Sequence, residues 1–155
     1  MKRQIVKGLA MLMAIVGLAL ATAVAANGQG KNLRAQVPFD FIVGEKTMRC
    51  GDYSVGIVDK AGAALAIRNQ DGGGIVQLSH AAMRLNRDNH AKLVFRRYGN
   101  TYFLAQVWMN GNSEIRELAK TKQERAIERE LKTIAPDRGE TKRIYEVVTV
   151  VATFR

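Results

Sequence analysis

Lys92-Leu93-Val94-Phe95-Arg96-Arg97-Tyr98-Gly99-Asn100-Thr101-Tyr102-Phe103-Leu104-Ala105-Gln106-Val107-Trp108 reads as a β-hairpin. Two runs rich in β-branched and aromatic residues flank Gly99-Asn100, and a two-residue turn with glycine first suits the right-handed twist of paired strands. Such a turn pairs Tyr98 with Thr101, Arg97 with Tyr102 and Phe95 with Leu104. One face then carries Leu93, Phe95, Tyr102, Leu104 and Trp108. The other carries Val94, Tyr98, Phe103, Ala105 and Val107. Both faces are partly apolar, so each needs a cover, which a single sheet open to water does not supply.

Upstream, Leu33, Ala35, Val37, Phe39, Phe41 and Val43 alternate with mostly polar neighbours, the period of a half-buried strand. Pro38 has no amide to donate, which marks this strand as an edge or as bulged. Further strands are expected at Tyr53–Ile57, Leu65–Ile67 and Ile75–Leu78, with a turn at 44–47 and a loop at 69–74. Thr121-Lys122-Gln123-Glu124 fits a capping box. Ile127, Leu131 and Ile134 recur at helical spacing, Glu128 and Lys132 form an i,i+4 pair, and Pro136 stops the run. A charged connector, Asp137 to Arg143, leads to a valine-rich last strand, 144–154. The expected fold is mainly β: a small antiparallel barrel or sandwich of about seven strands, with one late α-helix near 122–135.

Residues 1–25 read as a signal peptide. Lys2, Arg3 and Lys7 precede an uncharged apolar run, 9–26, that closes on small residues, with cleavage expected between Ala25 and Ala26. The alternative is an uncleaved inner-membrane anchor built from residues 9–26. Residues 26–155 then form one domain, exported to the periplasm or secreted. Of 24 basic residues three fall in the leader, leaving 21 against 14 acidic ones, a balance of +7. That charge favours an anionic envelope polymer or a lipid surface as partner, with nucleic acid the disfavoured option. The single cysteine, Cys50, excludes an internal disulfide, and a buried thiol is its expected state.

Several stretches resemble a known family. Val37-Pro38-Phe39-Asp40-Phe41-Ile42-Val43-Gly44-Glu45-Lys46-Thr47-Met48, followed by Gly51-Asp52-Tyr53-Ser54-Val55, resembles the opening motif V-P-F-x-F-x-V-G-x-K-x-L-P-A-G-x-Y-x-V of short exported bacterial proteins of unassigned function. The segments 92–95, 98–99 and 102–108 resemble its second block. Arg116-Glu117-Leu118 with Thr121 to Glu130 resembles its helical end. Arg49-Cys50 stands where that family has Pro-Ala. The resemblance implies export and brings no activity.

Catalysis by Cys50 would need His80 or His90 as base. Two isolated histidines in polar surroundings read more simply as surface residues. His80 and His90 show no metal-ligand spacing, and the scattered aspartates sit where Asp commonly serves the backbone. Neither a metal nor a cofactor is expected. The candidate ligand-binding set is Arg96, Arg97, Tyr98, Tyr102, Phe103 and Trp108, since arginines beside aromatic rings bind by stacking. The competing reading is that these cross-strand pairs stabilise the sheet. The expected function is an exported, non-enzymatic β-domain with a binding or structural role in the cell envelope. A small barrel carrying an apolar ligand and a weak Cys/His enzyme stay open as alternatives.

Overall fold

The computed structural model describes residues 32–59, 61–83, 90–109, 114–134 and 144–154. The expected leader, its cleavage point at Ala25–Ala26, Pro136 and the connector 137–143 lie outside them. Among the described residues there are eleven strands and one helix: β1 (Leu33–Val37), β2 (Phe41–Val43), β3 (Lys46–Met48), β4 (Gly51–Ile57), β5 (Ala64–Asn69), β6 (Gly74–Met83), β7 (Lys92–Tyr98), β8 (Thr101–Trp108), β9 (Glu114–Leu118), α1 (Lys122–Ile134), β10 (Glu146–Val151) and β11 (Thr153–Phe154).

The mainly β class with one helix holds. The barrel and the count of seven do not: the strands form one open, mixed sheet in the order β10-β7-β8-β9-β6-β5-β4-β1-β11, with β2 bridging β3 and β8. The strand expected over 33–43 is two strands in two different ladders. β1 pairs antiparallel with β4 and β11, whereas β2 pairs antiparallel with β3 and parallel with β8 through Ile42 and Phe103. Pro38 is the physical reason: it cannot extend a ladder, so the chain turns there and changes neighbours. Asp40 holds the corner by accepting the Cys50 amide at 2.7 Å. Phe39 tucks in behind it, stacked on Tyr102 at 3.9 Å and edge-on to Phe95 at 5.2 Å.

The hairpin forms with the expected pairs, Tyr98 with Thr101, Arg97 with Tyr102 and Phe95 with Leu104. Gly99 supplies the turn with φ 58°, a conformation that glycine adopts without steric cost. Beyond Phe95 the register slips, and Val94 lies opposite Gln106 rather than Ala105. The bulge inserts one residue and so reverses the alternation after it. Val107 therefore joins Leu93, Phe95 and Leu104 in the core, and Trp108 moves to the opposite face, the reverse of the sequence expectation.

Arg116-Glu117-Leu118 is strand rather than helix, pairing with β6 and β8. The C-terminal run is also divided. β10 pairs with β7 and β11 with β1, so the segment broken at Ala152 supplies both ends of the sheet order. Phe41, Tyr53 and Phe95 meet edge-to-face, at 5.0 and 5.3 Å, in the centre of the main core.

Phe95 touches both Phe39 and Phe41, so its removal empties the middle of this cluster. Phe95→Ala is expected to cost about 3–5 kcal/mol, read by urea denaturation. A loss below about 1 kcal/mol would mean that the core collapses freely around the gap.

Candidate functional site

The β7–β8 hairpin has two covers, as its two apolar faces require. One face lies on the main core. On the other, Ile42, Tyr98 and Phe103 form a second buried cluster, packed by Ile127 and Leu131 of α1 and by Ile144 and Tyr145. The Ile134 side chain lies outside the described residues.

Into this second contact the chain places a charge. Arg96, only 7% exposed, donates from Nε to Glu124 Oε1 at 2.5 Å and from Nη2 to Oε2 at 3.3 Å. Glu124 is 1% exposed. Tyr98 donates its hydroxyl to the same Oε1 at 3.2 Å. Burial, and then the Glu124 charge, push the Tyr98 hydroxyl well above the ordinary tyrosine value. The helix start keeps half of the expected capping box: Thr121 Oγ1 accepts the Glu124 amide at 3.0 Å. The Glu124 carboxylate turns inward to Arg96 and Tyr98, because a buried guanidinium leaves it a stronger partner than a backbone amide.

The six residues of the candidate set do not share a surface. Arg96, Tyr98 and Phe103 are buried under α1. Arg97 and Tyr102 lie on the opposite face near the turn, where Arg97 sits 5.5 Å from the Tyr102 ring and pairs with Glu146 at 3.2 Å. Trp108 lies at the far end of the hairpin, with the Lys92 ammonium 4.0 Å from its ring. No pocket can therefore be lined jointly by Tyr98, Tyr102, Phe103 and Trp108.

Cys50 is exposed, not buried, because it stands at the β3–β4 corner beside Asp40. His80 lies on β6 and faces Glu117 of β9 at 4.0 Å, with β5 between β6 and the Cys50 corner. Asp59 accepts the Ala64 amide, which holds its carboxyl below the usual range. No cluster of three metal-ligating side chains occurs among the described residues. No helix among them is long and apolar enough to cross a membrane.

Two surface depressions stand out. One, of about 290 Å³, lies where β1 and the C-terminal run meet, lined by Arg34, Gln36, Asp52, Gln70 and Thr153 among others. The other, of about 330 Å³, is formed by Arg125, Glu128, Arg129 and Lys132 of α1. Glu128 is held between Lys120 at 2.7 Å and Lys132 at 3.5 Å. The Lys120 hydrogen bond, foremost, holds its carboxyl below the usual value. Sequence reasoning took Lys132 only as the partner of Glu128 and passed over Lys122, Arg125 and Arg129, although the i, i+3, i+7, i+10 spacing of the four was legible as one face. Searches of protein-family models, of curated proteins and of solved structures each returned no significant match.

Arg96→Ala leaves Glu124 buried without its cation and is expected to cost about 3–5 kcal/mol, whereas Arg96→Met with Glu124→Leu should recover most of it. A double variant as unstable as the single one would show that shape, not charge pairing, sets the penalty. Tyr98 also carries a pH signature. Its folded pKa lies above the unfolded value near 10.0, so its stabilisation is complete below that pH and is lost as pH rises past it. Alkaline unfolding should therefore be shallower in Tyr98→Phe than in the wild type, followed by circular dichroism against pH.

Proposed function

We propose that this chain is an exported, non-enzymatic β-domain with a binding or structural role in the cell envelope. The observation that carries this reading is the use made of the reactive side chains. Arg96, Glu124 and Tyr98 join sheet to helix; Asp40 and Asp59 accept backbone amides; His80 faces Glu117 across a strand pair. The carboxylates, Arg96 and Tyr98 are thus engaged in scaffold contacts, and the exposed Cys50 thiol is separated from His80 by β5. The resemblance to short exported proteins and the basic balance after the leader agree with the same reading.

Expression of the full chain in a bacterium tests it. Protein released by osmotic shock should have the intact mass of residues 26–155. Full-length protein in the inner membrane would overturn export in favour of an anchor. A substrate turnover abolished by Cys50→Ser or His80→Ala would overturn the non-enzymatic part.

A further inference from the structure

On α1, at about 100° per residue, Lys122, Arg125, Arg129 and Lys132 fall within an arc of about 80°. That arc faces away from Glu124, Ile127 and Leu131, which point to the sheet. All four cations are exposed. The row is about 15 Å long, at 1.5 Å rise per residue.

Of the three helix carboxylates, one borders this row and two lie off it. Glu124 is turned inward by Arg96. Glu128 lies at the row's border and is already shared by Lys120 and Lys132. Glu130 falls on the other flank. Among the described residues, none of Lys122, Arg125 and Arg129 meets a carboxylate, and Arg129 Nε donates to the Arg125 carbonyl at 3.3 Å.

We infer that this exposed row is a docking surface for the anionic headgroups of a lipid bilayer, an assignment that rests on the envelope role proposed above. Charge complementarity selects an anionic partner. The helix residues facing outward include no aromatic side chain, which leaves single-stranded nucleic acid without a stacking platform. The apolar residues Ile127 and Leu131 are committed to Ile42, Tyr98 and Phe103, so the helix adsorbs through charge and does not insert. Lys122, Arg125 and Arg129, with Lys132 half-neutralised by Glu128 at the end of the row, match a flat field of phosphates, each contributing modestly and all weakened by salt.

Vesicle flotation of the purified exported protein tests this, using vesicles containing about one-third phosphatidylglycerol in phosphatidylcholine, and phosphatidylcholine alone, at about 50 mM and 500 mM NaCl. The variant Lys122→Gln/Arg125→Gln/Arg129→Gln is compared with Arg34→Gln/Arg49→Gln/Arg68→Gln, which removes the same charge from exposed positions elsewhere. Circular dichroism confirms that both are folded. The expected result is salt-sensitive binding to anionic vesicles only, weakened at least about tenfold in the helix variant and less than about twofold in the other. Equal weakening in both variants would reduce the effect to net charge and overturn the assignment. So would a wild type that ignores anionic vesicles, or one that binds soluble polyphosphate while ignoring them. Those outcomes leave the mass and fractionation result standing, so failure of the surface is distinguishable from failure of the envelope reading.

Discussion

A guanidinium withdrawn from water must be matched, and the helix side of this structure is arranged around that demand. Arg96 projects from the middle of β7 toward α1, where Glu124 meets it with both oxygens and itself accepts the Tyr98 hydroxyl. A buried pair of this kind contributes little net stability against an apolar substitute, yet losing either partner is severe. Its effect is therefore on placement. Only one rotation of α1 brings Glu124 to Arg96, and that rotation also seats Ile127 and Leu131 on Ile42 and Phe103.

The same rotation decides what the helix shows to solvent. Seven of its thirteen residues are charged, with both signs mixed along the sequence. Drawing Glu124 inward and drawing Glu128 toward Lys120 at one border leaves Lys122, Arg125 and Arg129 as the cations that meet no carboxylate among the described residues. An internal ion pair and an external basic row are thus two consequences of one orientation.

On the sheet side, single residues redirect whole strands. Pro38 ends one ladder and delivers Phe39 to Tyr102 and Phe41 to the core. The irregularity between Val94 and Phe95 reverses every later side chain on β8. Ala152, whose amide donates to the Ala91 carbonyl at 2.9 Å, divides the last strand between β7 and β1. Each device keeps large apolar residues inside while the chain changes partner.

The hairpin pairs, the helix span and the Glu128–Lys132 pair were legible in the sequence, because turn chemistry and i,i+4 neighbours are local. The need for two covers on the hairpin was legible too, since it follows from which residues are apolar on each face. The split of β1 from β2, the exchange of Val107 and Trp108, and the exposure of Cys50 were not, for each depends on which distant strand lies alongside. Nor could Arg96 and Glu124, 28 residues apart, be matched from their spacing. Arg96 read as half of an aromatic-binding surface because its helix cover is a tertiary fact. The sequence by itself determined a β-rich domain with one amphipathic helix. The tertiary structure alone decided which polar side chains are buried as scaffold and which cations stay in solvent, because desolvation depends on what packs overhead.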